Sequence, residues 1–160
     1  MSDVVSEVAL ERRRRYELSL ASLRPSLRLE ANAGGTVEPA NYERWESAVR
    51  ALQSIPPRDA AQVYVNVKPL FDEAYRELGY PTGDFDQALV KAIRMLNSTP
   101  EATGDLVLLR REGYFEHDNP AFRSLPPVQK QLLLLGPSHR KRVLSWIQQF
   151  AAALDLKVGG

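Results

Sequence analysis

Prolines and glycines cut this chain into short segments, and most of those segments carry apolar residues at helical spacing. No other feature restricts the fold as strongly. Apolar residues recurring every three or four positions give a helix one face to bury. A proline at the start and a glycine at the end then set its limits. With 11 Pro and 9 Gly in 160 residues, the punctuation allows a bundle of brief helices rather than a few long ones.

Tyr42, Trp45, Val49 and Leu52 predict a helix that begins near Asn41 and stops before Pro56-Pro57. Asp59 is placed to cap the next one. Its apolar stripe is Val63, Val67, Leu70, Ala74 and Leu78, widened by Tyr64, Phe71 and Tyr75, and Gly79 ends it. Pro69 inside this run predicts a kink or break near residues 65–68. Asp84 caps a further helix, with Gln87 as its capping-box partner and Phe85, Leu89, Ala92, Ile93 and Leu96 toward the core. Pro126-Pro127 opens a helix to Leu135, and Gly136-Pro137 stops it. Ser138 caps the last helix, which lines up Val143, Ile147, Phe150 and Leu154.

The strand pattern is weaker. Tyr16, Leu18 and Leu20 alternate with polar residues, as do Leu27 and Leu29 beyond the turn at Arg24-Pro25-Ser26. A helix over residues 3–14 followed by this hairpin is one reading; a single helix over 3–23 competes with it. Asn32 to Gly35 reads as a loop. Leu106 to Leu109 and Tyr114-Phe115 form a second hairpin with Gly113 in its turn. The expected fold is mainly α: a single compact domain of about five helices with one or two small antiparallel β-hairpins. Residues 1–35 are expected to be an N-terminal helix/hairpin extension and 36–158 the helical domain.

Composition excludes several classes. There is no Cys, hence no disulfide scaffold, cysteine–zinc site or cysteine nucleophile. No run of about 18 apolar residues predicts a membrane-spanning helix. The first residues lack a secretory pattern, since Asp3, Glu7 and Glu11 precede Arg12 to Arg15, and a cytoplasmic location is expected. A net charge of +1 argues against a nucleic-acid partner held by bulk electrostatics. That sum conceals asymmetry: residues 59–118 hold 11 acids and 6 bases, whereas residues 119–160 hold 1 acid and 6 bases.

One arrangement goes beyond generic amphipathicity. It starts at Pro39-Ala40-Asn41-Tyr42-Glu43-Arg44-Trp45 and continues through Ala74-Tyr75-Arg76-Glu77-Leu78-Gly79-Tyr80-Pro81. It closes with Asp118-Asn119-Pro120 and Lys130-Gln131-Leu132-Leu133-Leu134-Leu135-Gly136-Pro137. Over roughly residues 36–150 this series resembles a bacterial family of unknown function, the one numbered three-zero-one-four. Asn97-Ser98 and Leu134 depart from the residues the family tends to have there. The resemblance implies a proteobacterial protein with no assigned activity or catalytic residue. Many members carry a membrane helix ahead of the domain, so a domain cut from such a relative would be periplasmic.

Three function classes remain. The preferred one is a non-catalytic protein–protein interaction module, with Tyr75, Tyr80 and Phe85 on an aromatic-rimmed surface and another protein as partner. The alternative is anion or nucleic-acid binding at Arg140, Lys141 and Arg142, where the first turn of the last helix gathers cations beside His139. The same cations also read as a solvated face paired with the acidic middle segment. The third is a hydrolase using the carboxylates of Asp84, Asp86 and Asp118. Nucleophile-elbow, phosphate-loop and dinucleotide fingerprints are missing, and no cofactor is expected. Glu116-His117-Asp118 is the densest set of metal-ligand types but offers too few ligands for a metal. It is expected to be a solvated strand end, with Asp118 or Asn119 capping the turn before Pro120.

Overall fold

The structure is a computed structural model that describes residues 34–37, 39–80, 84–102, 105–112 and 114–158. Its elements are β1 (Gly34–Thr36), α1 (Pro39–Glu43), α2 (Glu46–Gln53), α3 (Pro57–Glu77), α4 (Phe85–Asn97), β2 (Val107–Arg111), β3 (Tyr114–His117), α5 (Pro120–Arg123), α6 (Pro127–Leu134) and α7 (Pro137–Ala153). The fold is mainly α, with one small antiparallel sheet in the order β1-β2-β3. The helix expected over residues 3–14 and the hairpin at Tyr16 to Leu29 lie outside the described residues.

Proline positions explain most boundaries. α3, α5, α6 and α7 each carry proline at their first turn, where the missing N–H has no intrahelical acceptor to lose. This moves two starts earlier than expected. α3 begins at Pro57, leaving Asp59 inside its first turn rather than at the cap. α7 begins at Pro137 with Gly136 at the cap, leaving Ser138 inside. Asp84 does cap α4, accepting from the Asp86 N–H at 3.0 Å. α3 runs unbroken through Pro69, so of the expected kink or break the break does not occur. One residue before the proline, Lys68 pairs with Asp72 at 2.7 Å on the same helix.

The single helix expected from Asn41 divides into α1 and α2 at a turn over Arg44 and Trp45, closed by Trp45 N–H to Tyr42 O at 3.0 Å. The turn lets Tyr42 lie on Gly136 while α2 packs along α7. Gly34-Gly35 is not a loop. With Thr36 it forms β1, in the register Gly34↔Leu109, Gly35↔Leu108 and Thr36↔Val107. Ladder bonds come from the backbone, so glycines pair here without any side-chain alternation to announce them. The β2–β3 hairpin forms as expected, with Leu108↔His117 and Arg111↔Tyr114 in register.

Beneath the sheet, Val37, Leu106, Leu108 and Leu133 are buried together, with Tyr42, Phe122, Leu125 and Leu134 packed around them. α3 lies along α7 and against α4. Gln129 ties α6 to the end of α4, its Nε2 donating to Met95 O at 2.6 Å and to Ser98 Oγ at 3.1 Å.

Candidate functional site

The α3–α4 corner is built by one backbone reversal. α3 ends at Glu77, and Gly79 adopts φ +87°. That left-handed conformation suits glycine because no Cβ meets the following carbonyl. The chain then doubles back, Tyr80 N–H donating to Tyr75 O at 3.3 Å. Tyr80 stacks on Tyr75 with centroids 4.1 Å apart and planes 5° apart. Phe85 meets Tyr75 edge-on at 5.8 Å. Tyr75, Tyr80 and Phe85, separated in sequence by the turn, are thus brought into one cluster. A row of rings continues inward: Phe85 to Phe71 at 5.1 Å, Phe71 to Tyr64 at 6.1 Å, Tyr64 to Phe150 at 6.0 Å, and Phe150 to Trp146 at 5.4 Å.

A polar staple holds this corner. Asp72 accepts from the Phe85 N–H at 2.9 Å. Lys68 Nζ lies 2.7 Å from Asp72, 3.5 Å from Asp84 and 3.6 Å from Asp86. The Tyr64 hydroxyl donates to Asp86 at 2.5 Å. The hydrogen bond from Lys68 lowers the Asp72 carboxyl pKa, and the same bond raises that of Lys68. Burial first, then Asp86, push the Tyr64 phenol up. One ammonium amid three carboxylates is a structural clasp: every member is engaged, and a phenol raised in this way is no base near neutrality. Lys68 and Asp72 are the residues that sequence reasoning missed. Their only signal was the four-residue spacing on one helix face.

The rotation of α3 differs from expectation. Val63, Leu70 and Leu78, expected to face the core, are 61%, 66% and 73% exposed. Phe71 and Tyr80 are 41% and 50% exposed. The helix instead turns Ala61, Tyr64, Lys68, Asp72 and Tyr75 inward, because the ring row and the clasp sit on that side. The result is an outer strip of apolar side chains at i, i+7 and i+15, with Tyr80 exposed beyond its end on the Tyr75 side. Surface apolar residues scattered singly need no account, but a continuous strip does.

The basic turn of α7 behaves differently. Arg140 donates to Thr99 O at 2.5 Å and Pro100 O at 2.9 Å, the two carbonyls that follow the C-cap of α4. Arg142 reaches Glu46 at 2.6 Å and Gln53 at 2.7 Å. Their partners are therefore α2 and the end of α4, not the acidic segment as a whole. Lys141 is exposed at the rim of a cleft of about 610 Å³ that also contacts Tyr42, Leu133 and Gly136. Structure thus occupies two of the three expected anion-binding cations.

Glu46 also takes a hydrogen bond from His139 at 2.9 Å. The bonds from Arg142 and then His139 hold its carboxyl down to about 2, against an ordinary 4.5. A carboxylate lowered on folding stabilises the fold above its unfolded pKa, and that stability is lost as pH falls toward the folded value. Glu46→Gln is expected to lower the urea midpoint at pH 7, with the gap to the parent chain closing between about pH 4.5 and pH 2. A gap independent of pH across that window would show that the charge of Glu46 does not act through these partners.

Asp84 and Asp86 belong to the clasp, while Asp118 follows β3, its backbone carbonyl taking a bond from Arg123 at 3.1 Å. Asn119, not Asp118, caps α5 by accepting from Ala121 N–H at 2.9 Å. The strand end is not solvated at its centre: His117 is buried against Phe122, and burial lowers its pKa. Glu116 pairs with Arg111 and Arg123. Among the described residues, no three His, Asp or Glu side chains converge as metal ligands would, and no helix is long and apolar enough to cross a membrane.

A family model described as "Protein of unknown function (DUF3014)" matches residues 3–151. The chain belongs to this family. The DUF3014 match begins ahead of residue 36, so it takes in most of the N-terminal stretch as well as the helical core. No curated protein and no solved structure matches the chain. In this DUF3014 chain two of the segments that carry the resemblance do the same job at two places. Ala74 to Pro81 ends α3 on Gly79, and Lys130 to Pro137 ends α6 on Gly136; these are the two glycines with positive φ among the described residues. Both blocks are corner-forming devices, one shaping the aromatic cluster and the other the contact with Tyr42.

Proposed function

We propose that this chain is a non-catalytic protein-binding module whose docking surface is the outer strip of α3 together with Tyr80. The observation that carries this reading is the exposure of Val63 and Leu70 on the outer side of α3, continued by Leu78 at its C-cap, with Tyr80 exposed just beyond. Interfaces draw their energy from apolar and aromatic anchors held in place before binding. Here Tyr75 backs Tyr80 and the Lys68 clasp fixes the corner, so little ordering is left to the moment of contact.

Leu70→Glu and Leu78→Glu test it. Both positions are mostly exposed, so each change is expected to stay within about 0.5 kcal/mol of the parent stability. Each is expected to abolish retention of a protein partner that the parent chain holds in a pull-down. Retention unaffected by both substitutions would remove this face from the function.

A further inference from the structure

Resting on the reading of the α3 strip as a docking surface, we infer that its partner is a separate protein presenting a basic, apolar-striped helix. The argument is the charge that borders the strip. At 100° per residue, Asp59 and Glu77 project within about 20° of Leu70, and Glu73 within about 60°. The bases of α3, namely Arg58, Lys68 and Arg76, project about 120° or more away from Leu70. Asp59, Glu73 and Glu77 are exposed and form no ion pair among the described residues, whereas Lys68 is spent on the clasp. Carboxylates thus stand at both ends and along one flank of the apolar strip, and no cation of α3 stands beside it.

This pattern selects among occupants. A second copy of the chain, packed parallel through the same strip, would set Asp59 on Asp59 and Glu77 on Glu77. Packed antiparallel about Leu70, it would bring one acid-flanked end against the other. Like charges brought together across an interface cost affinity in either arrangement. A helix with leucines at i, i+4, i+7 and i+11 and lysines or arginines on its flanks meets the strip with its apolar face and the acids with its charges. Phe71, 41% exposed next to Leu70 and stacked on Tyr64 and Phe85, borders the strip on one side.

The test uses the full chain and two synthetic helical peptides with the same leucine pattern, one flanked by lysine and one by glutamate. Affinity is measured by fluorescence anisotropy at low and high salt. The lysine peptide is expected to bind about tenfold or more tighter than the glutamate peptide, and to weaken as salt rises. Asp59→Lys with Glu77→Lys is expected to cancel or reverse that preference, and Leu70→Glu to abolish binding of both peptides. Circular dichroism melts of each variant confirm that it folds. Binding of both peptides equally, but lost in Leu70→Glu, overturns the charge inference and leaves the docking surface standing. Binding by neither, or binding unaffected by Leu70→Glu, overturns the inference and counts against the docking reading as well. Self-association abolished by Leu70→Glu assigns the strip to a second copy and overturns the inference. Peptide binding that appears only when Arg12, Arg13, Arg14 and Arg15 are replaced by glutamate assigns the strip to the chain's own N-terminal segment and likewise overturns the inference.

Discussion

Gly136→Ala is expected to destabilise the fold by about 2–5 kcal/mol, enough to lower the thermal midpoint by roughly 5–15 °C in a chain of this size. Two independent costs combine. Gly136 has φ +81° and ψ 161°, a region essentially closed to residues with a Cβ. A Cβ there would also stand 2.6, 2.7 and 2.9 Å from three atoms of the Tyr42 ring. The ring packs on one side against the core cluster of Val37, Leu106, Leu108 and Leu133, so yielding to the added carbon would cost part of that packing. Gly79→Ala is the matched control. Its φ is +87°, but nothing lies within 4 Å of the added carbon, so only the backbone cost of about 1–2 kcal/mol applies. Urea unfolding of both variants is expected to give the larger loss at Gly136, where the backbone region is more restricted and the ring contact is added. Equal losses would mean that Tyr42 does not pack on Gly136 in solution. A second check is Tyr42→Ala with Gly136→Ala, which should recover the steric part and leave the backbone part, giving a measurable coupling.

These glycines show which parts of the fold the sequence makes legible. Gly79 and Gly136 are readable as helix stops, because glycine after an amphipathic run needs no tertiary information to interpret. The β2–β3 hairpin and the Asp84 cap are local in the same sense, and they stand where the spacing puts them. β1 is not local. Its pairing partners lie more than 70 residues along the chain, and its two glycines carry no alternation. The division between α1 and α2 is set by where Tyr42 must go, which depends on Gly136. The rotation of α3 is the most consequential gap. The helix carries Tyr64, Phe71 and Tyr75 on one side and Val63, Leu70 and Leu78 on an overlapping one, so its periodicity fits both orientations. Lys68 decides between them by gathering Asp72, Asp84 and Asp86 from two helices, a contact that spacing along one helix does not reveal. Tyr75, Tyr80 and Phe85 were legible as a group because the Gly79 turn that joins them is short. Arg140, Lys141 and Arg142 were legible as a charge run. The carbonyls and the Glu46 carboxylate that occupy two of them come from elsewhere in the chain.

The contrast between Leu108→Ala and Leu70→Ala is expected to be as large as any pair of leucine truncations in this chain provides. Leu108 is 2% exposed, in the core with Val37, Leu106 and Leu133. Its truncation removes transfer free energy and leaves a void, a loss of about 2–5 kcal/mol that grows when neighbours do not collapse. Collapse is hindered here. Of its two cross-strand neighbours, Gly35 has no side chain to move in. His117 is itself buried, packed on Phe122, with an Nδ1 that has no hydrogen-bond partner. Leu108→Ala therefore belongs in the upper half of that range. Leu70 is 66% exposed, and its truncation is expected to fall within about 0.5 kcal/mol of the parent. The comparison tests the function as much as the fold. If α3 shows its outer strip to solvent, Leu70 contributes nothing to stability and is free to serve binding alone. Should urea unfolding give Leu70→Ala a cost near that of Leu108→Ala, the strip is a packed surface of the folded chain, and the docking proposal falls with it.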